Sequence, residues 1–322
     1  MPPARTQGAH VVEMQRRRLL SALSEVLADE GLEGASAGRV CARAGMSRRT
    51  FYELFADREG CLLAALEDAI ERVGACVMPA FVGGGSWRER VRGALVALLE
   101  AFERQPALAR LCMVEAPKGG VAVVECHRRS VGLLVAAVDE GRRELGDGVE
   151  PLPLCAEATV GGVLAVVHAR LVQREPGALV ELVGPLMSMI VHPYLGVAAA
   201  RAELELPVPA AQNVGLESLA REHAPDPFRD LRVRITFRTA RVLETIGENP
   251  GANNRQIGEG AGIADQGQVS KLLHRLDNCG LVVNRAPAQP NGRSNVWRLT
   301  ERGRTVLAAI GEGGRNRARR TL

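Results

Sequence analysis

The stretch that most narrows the possible folds is Ser36–Phe55, SAGRVCARAGMSRRTFYELF, which reads as two short helices meeting at a sharp turn. Ser36 is a residue type that accepts a hydrogen bond from a free backbone N–H at a helix start, and Val40 with Cys41 supplies the inward face of the first helix. Gly45 stands where the chain must turn without a Cβ. Ser47 then caps a second helix, on which Phe51, Leu54 and Phe55 recur at helical spacing as the buried side. Arg48, Arg49, Thr50, Tyr52 and Glu53 are left around the rest of it.

A second helix that opens on two arginines is where a helix-turn-helix meets base edges and phosphates. The flanks fit such a unit. Residues 13–31 place Leu19, Leu20, Leu23, Val26 and Leu27 on one face and end at Gly31. The triplet Arg16, Arg17 and Arg18 at the front of that helix is either a solvated surface or an arm touching DNA. Asp57 caps a long helix expected from Glu59 to about Val77, with Arg58 at its N-terminal end, where side chain and helix dipole can jointly hold a phosphate.

Residues 13–62, with SAGRVCARAGMSRRTFYELFADREGCLL inside, resemble the DNA-binding domain of the TetR family of bacterial transcriptional regulators. The shared features are the N-cap Ser, the Ala-Gly turn, a Ser-x-x-Thr-aromatic-Tyr-x-x-Phe second helix and a basic residue opening the next helix. The resemblance implies that Ser36, Tyr52 and Arg58 contact phosphates, and that Arg48, Arg49 and Thr50, behind the cap Ser47, face the major groove. Tyr52 also has the simpler role of a packing ring. Leu54 departs from the family, which often has His there.

Hydrophobic residues make up 46% of the 322 residues and aromatics only 3%, which favours helices packed through aliphatic and small side chains. The first ten residues lack an apolar signal-like core. The run Val160–Val172 carries His168 and Arg170, so no membrane association is expected and the location is taken as cytoplasmic. Seven cysteines without a CxxC pair suggest buried thiols, with Cys112, Cys126 or Cys155 as redox-sensing alternatives, and indicate neither disulfides nor a zinc site. The net charge of +4 hides a gradient: +1 over residues 1–60, −5 over 61–224 and +8 over 225–322. The end, not the middle, seeks polyanions.

Gly83–Gly85 breaks the chain before Ser86, which caps a helix with Val91, Leu95, Leu98, Leu99 and Phe102 in one stripe. Helices follow at Pro106–Glu115, Val121–Leu145, Leu152–Arg174 and Gly177–Leu195. This region resembles the regulatory domain of TetR proteins, which implies that the last two helices pair with those of a second chain. Gly161, Gly162, Ala165, Ala169 and the run from Pro185 to Ile190 suit a close homodimer interface. A small apolar effector would sit among Phe102, Met113, His127 and His168, with Leu111 and Leu134 nearby; each is also an ordinary core candidate. No metal or cofactor is expected.

Residues 199–227 read as a linker, part helical and part extended, long enough to let the next module dock independently. Beyond it, Leu231–Gly247 is a helix. Asn253 with Gln256, and Asp265 with Gln268, repeat a capping pattern on either side of Gly262. Val269, Leu272, Leu273 and Leu276 are the inward side of the second helix of this pair. The period then changes to strand in LVVNRA and SNVWRLT around a Pro-Asn-Gly turn, before a last helix from Glu301. The pattern resembles a MarR-like winged helix, which implies DNA contacts by Gln268, Ser270, Lys271, Arg275 and, at the wing tip, Arg293. Such modules also dock proteins or regulate their own chain. The basic residues 315–320 are expected to be disordered.

The expected fold class is mainly all-α: a helix-turn-helix domain at 1–60, a helical effector-binding and dimerisation domain at 61–198, a linker at 199–227, an α+β winged helix at 228–312 and a basic tail at 313–322. The expected function is a dimeric, effector-responsive repressor that binds double-stranded DNA through two domains per chain. The alternative makes the winged helix a docking or autoregulatory module. No phosphate loop, nucleophile elbow or acid–base pair points to an enzyme.

Overall fold

The computed structural model describes residues 4–145, 151–173, 178–207, 236–285 and 295–320, with backbone only for 4–10 and 311–320. The chain divides into two compact units. One comprises Met1–Leu19, Cys41–Leu54 and Ala224–Leu322, and the other Leu20–Val40 and Phe55–His223.

In order, the helices are α1 (Ala4–Gly34), α2 (Ala37–Ala44), α3 (Arg48–Leu54), α4 (Arg58–Phe81), α5 (Trp87–Arg104), α6 (Pro106–Arg110), α7 (Val121–Asp139), α8 (Cys155–Gln173), α9 (Val183–Glu205), α10 (Phe237–Glu248), α11 (Asn254–Ala261), α12 (Gln266–Asn278) and α13 (Glu301–Arg320). β1 (Val282–Asn284) and β2 (Trp297–Leu299) pair antiparallel, Val283 opposite Arg298. The described residues are mostly helical.

Local chemistry explains the breaks. Gly31 at φ 68° interrupts α1 where the sequence predicts its end, and Gly45 at φ 63° makes the turn after α2. Asp57 Oδ1 accepts the Gly60 N–H at 2.7 Å, and Ser86 with Glu89 forms a full capping box on α5. The helix expected over Pro106–Glu115 is instead α6 followed by a π-helical turn, Leu111–Glu115. Its carboxylate, Glu115, is fully buried and accepts the Leu32 N–H at 3.2 Å beside the Gly31 break, with Arg110 at 3.3 Å and Lys118 at 3.4 Å.

The start of the expected linker belongs to α9. That helix bends at Gly196 and runs to Glu205, bringing the fully buried Glu203 to Arg88 at 2.9 Å and Arg92 at 2.7 Å. Arg92 also donates to the carbonyls of Leu206 and Pro207. Removing Glu203 alone takes the carboxylate from both guanidiniums, leaving Arg92 on its two carbonyls and the Arg88 side chain, 35% exposed, to water.

α8 and the Leu179–Glu205 stretch are long and apolar enough, by length and composition, to cross a membrane. Much of α8 is open to solvent, Gly161 and Ala165 included.

In the C-terminal module, Val242, Leu243, Ile246, Ile257, Val269, Leu273, Leu276, Leu281, Trp297 and Val306 are among the buried cluster. Gly262 at φ 68° turns α11 into α12. The hairpin tip, including Arg293, and most of the expected linker lie outside the described residues. Residues 315–320, expected to be disordered, continue α13 as helix.

Candidate nucleic-acid interface

α3 is seven residues long, and a helix of that length is marginal by itself, so its ends and anchor decide where it points. Ser47 Oγ accepts the Thr50 N–H at 3.1 Å and lies 2.9 Å from Thr50 Oγ1, which closes the first turn. Phe51 is fully buried and fixes the rotation of the helix. Arg48, Arg49 and Tyr52 are consequently exposed and Thr50 half-buried. The Tyr52 ring packs edge-on against Phe51, centroids 5.4 Å apart, yet stays 57% exposed, so it serves as a packing ring and a surface group at once.

Sequence reasoning left Glu53 without a role, although the i,i+4 spacing to Arg49 was the signal. Its Oε1 accepts from Arg49 Nε at 2.9 Å, and this bond raises the Arg49 pKa further. The guanidinium is thus held along the outer face of α3 with its remaining N–H donors outward. Ser36 Oγ accepts the Arg39 N–H at 3.3 Å as a helix cap, and Arg39 pairs with Glu30 at 2.6 Å. Arg58, exposed, reaches the Leu32 carbonyl at 3.3 Å.

The second candidate surface lies on α12. Asp265 Oδ1 accepts the N–H groups of Gly267 at 2.8 Å and Gln268 at 3.3 Å, and these bonds hold its carboxyl below the usual range. Val269, Leu273 and Leu276 face inward, while Gln268, Ser270, Lys271 and Arg275 are exposed. Gln268 Oε1 accepts from Arg238 at 3.3 Å. Asn254 was missed by sequence reasoning. Its Oδ1 accepts from Trp297 Nε1 at 2.7 Å and its Nδ2 donates to Ser270 Oγ at 3.0 Å, which ties α11, α12 and β2 together. An Asn one residue beyond an N-cap carries no special sequence signal.

The four effector candidates do not share one environment. Phe102 and Met113 are buried. His127 is half-buried, and desolvation lowers its pKa against an opposing hydrogen bond with the Cys112 backbone. His168 is exposed: α8 buries Ala156, Val160, Val163 and Val167, and His168 follows the last of these one helical step away. Gln105 is the polar group that sequence reasoning missed here. It is 3% exposed, its Oε1 accepts from Arg72, and its Nε2 has no hydrogen-bond partner. Burial pushes the Cys112 thiol up to about 12, which removes the thiolate that redox sensing needs. Among the described residues no three His, Cys, Asp or Glu side chains gather in a metal-binding group.

Residues 19–65 match the family model described as bacterial regulatory proteins, tetR family. The chain therefore carries the N-terminal domain of that family. No curated protein matches the chain. Similar solved structures include the fatty acid degradation regulator FadR from Bacillus halodurans (17% identity, 54% of this chain and 97% of that one, TM-score 0.48). FadR from Bacillus subtilis, solved in complex with stearoyl-CoA, aligns with 16% identity over 54% of this chain and 97% of its own, TM-score 0.48. A ketosteroid transcriptional regulator of Mycobacterium tuberculosis aligns with 16% identity over 55% of this chain and 92% of its own, TM-score 0.43.

Proposed function

We propose that this protein is a dimeric, effector-responsive transcriptional repressor that binds double-stranded DNA in the bacterial cytoplasm through two modules per chain. One observation carries the reading: within the matched tetR segment, Ser47 and Phe51 lock a short helix so that Arg48, Arg49 and Tyr52 project from it. Arg48, Arg49 and Thr50 read base edges in the major groove, while Ser36, Tyr52 and Arg58 hold phosphates. Phosphate contacts set register and base contacts set sequence, so the two groups fail differently.

The C-terminal module acts as a winged helix, with α12 in a second major groove and the hairpin beside it. The support is its charge of +8 and the exposed row Gln268, Ser270, Lys271 and Arg275. Dimerisation uses α8 and α9, where Gly161, Ala165 and Met189 are exposed. A small apolar effector binds near Phe102, Met113 and His127, and its coupling to DNA release is worth about 1–3 kcal/mol, the usual range.

The test is selection of DNA fragments from a random pool by the full-length protein, followed by footprinting of wild type and variants. A palindrome flanked by a second repeated element is expected. Arg58→Ala weakens every sequence alike, whereas Arg49→Ala erases discrimination at one base pair. If Lys271→Glu/Arg275→Glu leaves affinity and footprint as in wild type, the C-terminal module is a protein-docking or autoregulatory device instead.

A further inference from the structure

α1 carries two apolar faces, and the helix-turn-helix needs only one. Leu19, Leu20, Leu23, Val26 and Leu27 form the first, all nearly fully buried. Val11 and Met14 are also buried, each 7% exposed, while Val12 between them is 49% exposed. At 100° per residue, the centre of Val11 and Met14 lies about 150° around the helix from the centre of the leucine stripe. Something other than the leucine stripe's partners has to cover them.

Their cover is the C-terminal module. Val11 and Met14 belong to the same buried cluster as Val242, Leu243, Ile246, Val269 and Trp297. A second region of packing adjoins the first. Met14, Gln15 and Arg18 of α1, Gly45, Met46, Ser47 and Thr50 of the turn and α3, and Thr236 line one cleft of about 40 Å³. That volume holds a few waters and no organic ligand, so it is a seam between packed surfaces. Thr236 is the N-cap of α10, the first helix of the module. Of the residues proposed to read DNA, Thr50 lines this seam and is half-buried, while Arg48, Arg49 and Tyr52 on α3, and Gln268, Ser270, Lys271 and Arg275 on α12, lie outside it and are exposed.

We infer that the C-terminal module docks on Val11 and Met14 of α1 and is joined there to the start of α3, so that the two candidate recognition helices of one chain form a single reading head. The sequence, with its long linker, predicts an independently docking module. The buried pair on α1 replaces that freedom with a fixed spacing between two DNA elements. A free tether with a reach on the order of 30 Å tolerates changes in spacing, and a docked head does not. The inference rests on the proposal that both modules bind DNA.

Two measurements on the full-length protein test it. In hydrogen exchange without DNA, residues 11–18 exchange about tenfold faster in Val11→Glu/Met14→Glu than in wild type, while Val242–Ile246 keep their protection; equal exchange of residues 11–18 overturns the docking. The second compares wild type with the same variant. DNA selected from a random pool receives about 5 bp, half a helical turn, between its two protected elements. Wild type then loses about tenfold or more in affinity, and Val11→Glu/Met14→Glu loses less than about threefold. A wild type that tolerates the insertion overturns the single head. Should Lys271→Glu/Arg275→Glu instead leave the footprint unaltered, the second reader fails, while the exchange result still decides the docking.

Discussion

α3 and α12 both follow a short helix and a glycine turn, and they are held by different means. α3 has seven residues, one hydroxyl cap and one fully buried anchor, Phe51. α12 has thirteen residues, a carboxylate cap with two N–H donors and three buried anchors. Asn254 adds a polar tie from α11 to Ser270 and Trp297. The orientation of α3 is therefore supplied by its surroundings, while α12 carries most of its own. The charges are opposed in the same way: residues 1–60 sum to +1 and residues 225–322 to +8. The weakly held, nearly neutral element suits sequence discrimination, and the self-supporting basic one suits attraction.

The contrast between the two helices is tested most severely at their anchors. Phe51→Ala costs about 3–5 kcal/mol and Leu273→Ala about 2–5 kcal/mol. The first is expected to abolish selective DNA binding while α12 keeps its structure, and the second to unfold the C-terminal module, both read by thermal unfolding and fragment retention. If Phe51→Ala leaves selective DNA binding intact, α3 does not depend on its single anchor and the contrast between the two helices fails.

Charge comes next. Lys271→Glu/Arg275→Glu lowers affinity on all sequences and reduces the slope of log affinity against log salt by about 2 or more, since each phosphate that is no longer neutralised takes away about 0.9. Arg49→Ala leaves that slope within about one unit and narrows the preference at one base pair by roughly tenfold to a hundredfold. Equal slope changes in both variants erase the division of labour.

The caps give the smallest effects. Ser47→Ala destabilises α3 by about 1 kcal/mol. Asp265 behaves differently because it titrates. Its folded pKa lies below the ordinary value of 3.8, so its stabilising bonds are complete above that value and are lost as pH falls through the lower folded pKa. Acid unfolding of the C-terminal module therefore shifts to higher pH in Asp265→Asn, monitored at Trp297; an unchanged midpoint removes Asp265 from the account.

Much of the fold was legible residue by residue. Ser36, Ser47, Asp57, Ser86, Asn253 and Asp265 all cap the helices the sequence assigns to them, because a cap needs only its own hydroxyl, amide or carboxylate and an N–H two or three residues on. The glycine turns at 31, 45 and 262 were legible for the same reason. The outward set on α3 followed from one buried aromatic and helical spacing.

Residue order alone settles where most helices begin, which face of each is apolar, and where positive charge accumulates, since all of these act within a few residues, whereas α6 and α9 end elsewhere than expected. Which charges are buried, and with whom, is settled by the three-dimensional fold. Glu115 meets Leu32 across 83 residues and Glu203 meets Arg92 across 111, and no local pattern distinguishes either glutamate from its solvated neighbours. The fold also places the short apolar pair Val11 and Met14 under a module more than two hundred residues away. Burial and pairing depend on what the folded chain brings within a few ångströms, and sequence spacing carries that information only as far as one helical turn.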